Sequence, residues 1–150
     1  MITESLQMNC SIEKLFKISQ DYSRRLEWDT FLQEAKILLP DEKPGVGVKT
    51  FCKAWNGIGI ETVYVSFNEP KVVAVKMKKG PWIFREFAAT WRFEEIQNGT
   101  LVTFIYHVKT KFRPLDFFFG MLFKLEMKRR LRDLKTYSEA KAEIEDEVIK

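Results

Sequence analysis

The chain offers few residues of the kinds that make or break bonds. It has one histidine, His107, and two cysteines, Cys10 and Cys52, which stand in no CxxC spacing. A metal or redox centre needs several such groups at fixed separations, so neither a metal nor a cofactor is expected. What remains is a carboxylate, a guanidinium and a phenol: Glu61, Arg85 and Tyr106. Around an apolar space these three would anchor the polar head of a ligand, or would do acid–base work. The competing explanation is structural, with Glu61 and Arg85 near sheet ends, paired with Lys79 or with each other. No nucleophile–base pair accompanies them, so no residue is assigned as catalytic; Tyr106 and Arg85 are kept as candidate ligand contacts.

The strands that carry these residues set which way they point. Asn56-Gly57 and Asn98-Gly99 are two-residue hairpin signals, because a type I′ turn needs positive φ at both central positions. With the turns at Asn68–Lys71 and Lys79–Pro81, they divide the middle of the chain into five antiparallel strands, at about 46–55, 58–68, 71–79, 83–97 and 100–112. Counting outward from Asn98-Gly99 places Phe87, Ala89, Trp91 and Phe93 opposite Thr110, Val108, Tyr106 and Phe104, all facing inward. Arg85 continues that face. Counting from Asn56-Gly57 places Val48, Thr50 and Cys52 opposite Val65, Val63 and Glu61, also inward. A three-residue turn at Glu69–Lys71 would add Val73, Val75 and Met77. His107 falls on the outer face opposite Thr90, as a surface imidazole. Cys52 faces in with no histidine in register, as an inert buried thiol.

The flanks complete the frame. Residues 2–10 alternate as a strand with Leu6 and Met8 toward the core. Ser11 can cap a helix from Ile12 that buries Ile12, Leu15 and Phe16. A shorter helical piece follows Asp21, through Tyr22, Leu26 and Trp28; capping or turn bonding accounts for Asp21 and Asp29. Gln33–Leu39 reads as a strand closed by the loop Pro40–Gly45. From Pro114 to about Ala142 one long helix is expected, with proline and Asp116 suited to its first turn. Phe119, Phe123, Met127, Leu131 and Leu134 form its apolar stripe. Phe117, Met121 and Leu125 project from the opposite side. Beyond Glu139 the alternating acidic and Lys residues suit a fraying helix end or a disordered tip.

The 150 residues suit one domain spanning 1–150, and 45% hydrophobic content excludes wholesale disorder. Thirteen Phe and four Trp imply a large apolar interior or lining. The net charge of +4 comes with no Lys/Arg stripe interleaved with aromatics, so no nucleic-acid partner is expected. The opening residues lack the pattern of a signal peptide, and Phe117–Phe123 is too short a run to span a bilayer. A cytoplasmic protein with two free thiols is expected.

The order strand, two short helices, six strands, long helix resembles the helix-grip fold of the START, birch-pollen-allergen and polyketide cyclase/dehydrase superfamily. The segments MNCSIEKLFKISQDYSRRLEWDTF (Met8–Phe31), GVGVKTF (Gly45–Phe51) and LRDLKTYSE (Leu131–Glu139) carry the likeness. The resemblance implies an α+β fold, a seven-stranded antiparallel sheet wrapped around the last helix with an apolar cavity between. It implies binding of an apolar small molecule or lipid, or cyclase/dehydrase chemistry. The iron-dependent oxygenase branch needs two histidines and a carboxylate, and one histidine excludes it.

On this reading Trp28, Phe87, Trp91, Phe93, Phe104, Tyr106, Phe119, Phe123 and Met127 line the cavity, and Arg85 and Glu61 meet the ligand's polar end. The rival enzyme reading uses Tyr106 or Glu61 as acid or base. A third reading takes the bare Phe117/Met121 patch as a surface for homodimerising or for modulating a partner; under the ligand-binding reading the same patch would meet a membrane during loading, with Lys124, Lys128, Arg129 and Arg132 near enough to meet anionic headgroups. Coverage by the protein's own loops, Pro40–Gly45 among them, and short helices is the bland alternative.

Overall fold

The structure, a computed structural model, describes residues 1–39 and 43–149. The elements follow in the order β1 (Ile2–Met8), α1 (Ile12–Gln20), a 3-10 helix (Tyr22–Glu27), β2 (Leu32–Ile37), β3 (Lys49–Ala54), β4 (Gly59–Asn68), β5 (Val72–Lys79), β6 (Phe84–Ile96), β7 (Gly99–Thr110) and α2 (Arg113–Ile149). The seven strands form one antiparallel sheet in the order β1-β7-β6-β5-β4-β3-β2. Strands β2 to β7 meander, and β1 closes the far side by pairing Ile2 with Tyr106 and Met8 with Thr100. This is the helix-grip architecture. The loop expected over 40–45 lies partly outside the described residues, and so does its proposed cover of Phe117.

Local chemistry accounts for the elements. Ser11 caps α1 by accepting from the Lys14 backbone N–H at 3.3 Å, and Asp21 caps the 3-10 helix by accepting from Ser23 N at 3.1 Å. At the start of α2, Asp116 Oδ1 accepts from Thr110 N at 2.7 Å, which ties the helix to the end of β7. The helix runs past its expected end. Its Glu-, Lys- and Ala-rich tail is made of good helix formers, and its side chains are held: Glu139 Oε1 accepts from Asn9 N at 3.0 Å, and Lys14 pairs with Glu145.

The core has two halves. In one, Phe16 of α1 meets Phe67 and Phe93 edge-on at centroid distances of 5.3 and 5.5 Å, beside buried Met8, Leu15, Val102, Leu131 and Leu134. That half is filled. Toward the first turns of α2, the sheet stands away from the helix and the packing opens.

Two turns differ from expectation, with unequal consequences. The β6–β7 turn is Gln97-Asn98, with Ile96 opposite Gly99. Asn98 takes the positive φ of 68°, and a Cβ on Gly99 would lie 2.3 Å from the Met8 carbonyl oxygen. Glycine at 99 thus serves close approach to β1 rather than the turn centre. The partners shift by two residues, so Trp91 faces Phe104 and Ala89 faces Tyr106. Because the side-chain period is two, every inward residue stays inward from Phe87 on.

The β3–β4 turn instead has three residues, Trp55-Asn56-Gly57, closed by Gly57 N to Ala54 O and Ala54 N to Ile58 O, both at 2.9 Å. Gly57 takes the left-handed position at φ 88°. The odd count moves the register by one and reverses the faces of β4: Ile60, Thr62 and Tyr64 turn inward and Glu61 turns out. Glu61 lies opposite Phe51, with its carboxylate 4.0 Å from Lys79 Nζ. Arg85 is corrected by a different device. The β6–β7 pairing slips between Phe84 and Glu86, a bulge that brings Phe84 inside and turns Arg85 to solvent.

Candidate functional site

The open half of the sheet–helix interface encloses a cavity of about 450 Å³. Phe84, Phe87, Ala89, Trp91 and Phe104 form its floor, Phe119 and Phe123 its roof, and Ile60, Thr62 and Val75 one side. The aromatic rings interlock: Phe84 lies 5.1 Å from Phe119, Phe87 5.1 Å from Tyr106 and 5.8 Å from Phe123, and Trp91 stacks on Phe104 at 3.9 Å. The mouth lies between the β3–β4 turn and α2, rimmed by exposed Trp55, Ile58, Leu122 and Leu125.

Of the residues expected at a ligand, Phe87, Trp91, Phe104, Tyr106, Phe119 and Phe123 come together around this space. Trp28, Phe93 and Met127 lie in the packed half instead, where α1 and the 3-10 helix fill the sheet. Trp28 packs edge-on to Trp91 at 6.5 Å, behind the cavity wall. Glu61 and Arg85 do not reach the cavity, for the turn and bulge given above.

The polar pole joins Tyr106, expected from sequence, to Arg130, Glu126 and Arg25, which were not singled out, and to Asp29, expected only to cap or bond a turn. Arg130 reaches from α2 with Nε 3.1 Å and Nη2 2.9 Å from Asp29 Oδ2. Its Nη1 donates to the Tyr106 hydroxyl at 2.6 Å and reaches Glu126 Oε1 at 3.4 Å. The Tyr106 hydroxyl donates in turn to Glu126 Oε1 at 3.1 Å. From the 3-10 helix, Arg25 gives Nε to Asp29 Oδ2 at 3.0 Å and Nη1 to the Ser19 carbonyl at 2.7 Å. Its guanidinium lies 4.7 Å from the Trp28 ring centre and 5.8 Å from that of Trp91, in cation–π range. Asp29 is wholly buried, and its Oδ1 and the Trp28 Nε1 have no hydrogen-bond partner among the described residues. Asp29 is therefore the hub of an ion-pair network rather than a turn residue.

Burial and charge set the protonation states. Burial pushes the Asp29 carboxyl up, but Arg130 and Arg25 outweigh it and hold it below the usual carboxylate value. Burial pushes Glu126 up to about 7 against the pull of Arg130 and Tyr106. Burial, with Glu126 and Asp29 beside it, keeps Tyr106 protonated well above the usual phenol value against the pull of Arg130. Burial depresses Arg130, and Asp29, Tyr106 and Glu126 more than restore it, so it stays a cation. Near neutrality the cavity thus holds a fixed phenol donor and a carboxyl present in both forms.

A signal for the missed pair did exist. Glu126 and Arg130 are spaced i, i+4 and sit between Phe123, Met127 and Leu134 on the same helical face. Charges embedded in an apolar stripe mark either a buried pair or a site. Asp29 carried no such signal, because its partner lies 101 residues away.

This geometry defines the START-like class of helix-grip proteins, a curved antiparallel sheet closed by its last helix. Within it, the chain belongs to the polyketide cyclase/dehydrase and lipid transport family, whose model matches residues 1–139. No curated protein sequence matches the chain. Among solved structures it is similar to a START superfamily protein from Mycobacterium smegmatis, at 14% identity and TM-score 0.77, covering 93% of this chain and 97% of that one. It is also similar to Ara h 8.0201, at 15% identity and TM-score 0.75, covering 93% and 97%. The di-domain ARO/CYC protein StfQ of the steffimycin biosynthetic pathway aligns at 11% identity and TM-score 0.77, over 94% of this chain and 51% of that one. At these identities the likeness is one of fold.

Proposed function

We propose that this protein binds an apolar small molecule or lipid between the sheet and α2. The observation that carries the reading is an aromatic-lined space of about 450 Å³ with a polar pole at one side and an open mouth. Ligand pockets commonly measure ~300–1,000 Å³ and combine an apolar lining with a few placed polar groups. A ligand burying roughly 200 Å² of apolar surface would gain about 5 kcal/mol from that burial. The family's description, which joins lipid transport to cyclase chemistry, agrees with it. Two free thiols, Cys10 and Cys52, suit a reducing, cytoplasmic setting.

Loading at a lipid surface belongs to the same reading. Phe117 is 78% exposed and Met121 58% exposed. They continue along α2 into Leu122 and Leu125, which rim the mouth. Lys124 and Lys128 on the same helix are exposed and suit anionic headgroups.

Native mass spectrometry of the purified protein, with displacement of a fluorescent fatty-acid probe, tests the reading. A bound mass or probe displacement is expected. Only the apo mass, with no probe bound, would overturn it.

One observation favours a second reading, cyclase/dehydrase-type catalysis. The Tyr106 phenol donates to a carboxyl that titrates near neutrality inside the cavity. Unchanged turnover of an identified substrate by Tyr106→Phe would remove it.

A further inference from the structure

The buried charges around the cavity balance only while Glu126 is ionised. Arg25, Arg129 and Arg130 line it, and Glu126 is the sole carboxylate among the described lining residues. Asp29 stands behind the wall and is shared by Arg25 and Arg130. Among the buried groups, two guanidiniums meet Asp29 and Glu126. While Glu126 is ionised that set is neutral; once Glu126 takes a proton, one buried positive charge is left uncompensated. That positive charge is then open to pairing by an incoming anion.

The unused hydrogen-bonding positions point the same way. Arg25 is 3% exposed, lines the cavity, and spends Nε and Nη1 on Asp29 and Ser19. Its Nη2 makes no hydrogen bond among the described residues, although the guanidinium lies over the Tyr22, Trp28 and Trp91 rings. Both bonds to Glu126, from Tyr106 and Arg130, go to Oε1. Oε2, on a residue of the cavity wall, accepts no hydrogen bond among the described residues. A protonated Oε2 is a donor, and Arg25 Nη2 is a charged donor. Two donors on a wall with excess positive charge suit a head that accepts and carries negative charge. A neutral hydroxyl would leave the charge uncancelled.

We infer that the cavity takes an amphiphilic carboxylic acid, its ionised head held by the Arg25 guanidinium and the Glu126 carboxyl. This rests on the ligand-binding reading above and specifies the ligand's class. Binding then carries a proton with it. The groups facing Glu126 are Arg130 on its own helix, Tyr106 on β7 and Asp29 beyond Arg130. Arg25 of the 3-10 helix, Arg129 of α2, Tyr22 and Cys52 of β3 complete the ionisable lining. Of these, Glu126 is the group that changes charge near neutrality. A neighbouring anion raises its pKa further, so the bound state holds more protons than the free state near neutral pH. Affinity for an anion therefore falls as pH rises through neutrality. A fatty acid's own carboxyl, with an ordinary pKa of ~4–5, stays ionised throughout.

The test compares decanoic acid with decan-1-ol, which share an apolar body and differ in the head, by displacement of a fluorescent probe. Decanoate is expected to bind at least about tenfold more tightly than decanol near pH 6, and to weaken by about tenfold by pH 8. Decanol should show no comparable change. Glu126→Gln should abolish the pH dependence of decanoate binding. Arg25→Lys should lower the acid-to-alcohol affinity ratio, a readout that general loss of folded protein does not move. Decanol bound as tightly as decanoate near pH 6, or a pH dependence that survives Glu126→Gln, overturns the inference and leaves the binding reading standing. If neither compound binds, both fall.

Discussion

Arg130 places Nε and Nη2 on a single oxygen of Asp29, at 3.1 and 2.9 Å, across the contact between α2 and the segment that follows the 3-10 helix. The two residues lie 101 positions apart, and Asp29 is fully buried. The bond therefore fixes α2 over the sheet at the height of the cavity's polar pole. Removing one partner strands a charge in a dry site. Asp29→Ala is expected to cost about 3–5 kcal/mol of folding stability in urea titrations. A loss below about 1 kcal/mol would mean that water reaches the pair.

Glu126 gives stability a pH dependence of a definite sign. Its folded pKa, about 7, lies above the unfolded reference of 4.5. The folded state thus binds more protons between those values, and unfolding free energy falls as pH rises from the lower to the higher. Asp29 acts oppositely: its folded pKa is lowered, so its contribution is present above the unfolded pKa and lost as pH falls through the folded one. Together the two groups predict a stability maximum in mildly acidic solution. Glu126→Gln should remove the decline toward pH 7 and gain on the order of 2–3 kcal/mol over wild type above it. Equal wild-type and variant stability near pH 8 would contradict the assignment.

Ala89 is the small residue on the cavity floor, opposite Tyr106. Ala89→Leu puts three extra carbons into the space rather than into packed core. Probe affinity should drop at least about tenfold, with folding stability changed by less than about 1.5 kcal/mol. Binding that survives in a folded Ala89→Leu variant would place the ligand elsewhere.

The exposed start of α2 predicts a surface behaviour. The protein should co-sediment with vesicles of mixed neutral and anionic phospholipid, and Phe117→Ser with Met121→Ser should abolish this. Probe affinity in the absence of vesicles should be unchanged. A concentration-dependent dimer that the double variant dissociates, without vesicle binding, would assign the patch to a second copy of the chain instead.

Much of the architecture was legible because strands and helices impose different periods. Alternation in β6 and β7 and the three- and four-residue steps of Phe119, Phe123, Met127, Leu131 and Leu134 named the inner faces without any knowledge of partners. Register was harder, since it depends on the residue count in a turn. At Gln97-Asn98 a two-residue displacement left the faces intact. At Trp55-Asn56-Gly57 a single extra residue exchanged Glu61 for Ile60 and Thr62. The bulge at Arg85 gave no local sign at all. The polar pole was the least legible part. Glu126 and Arg130 look like ordinary surface charges until the apolar neighbours on their face are counted, and Asp29 acquires its role from a residue far along the chain.

The helix that closes the hollow follows every strand in the chain. During synthesis, the aromatic surface of β6 and β7 is therefore complete before residues 113–149 have left the ribosome. Until α2 emerges, Phe87, Trp91, Phe104 and Tyr106 have no roof, and the nascent sheet presents a broad sticky concavity. That interval is where chaperones would find this chain, and where the protein is most exposed to clumping with its neighbours.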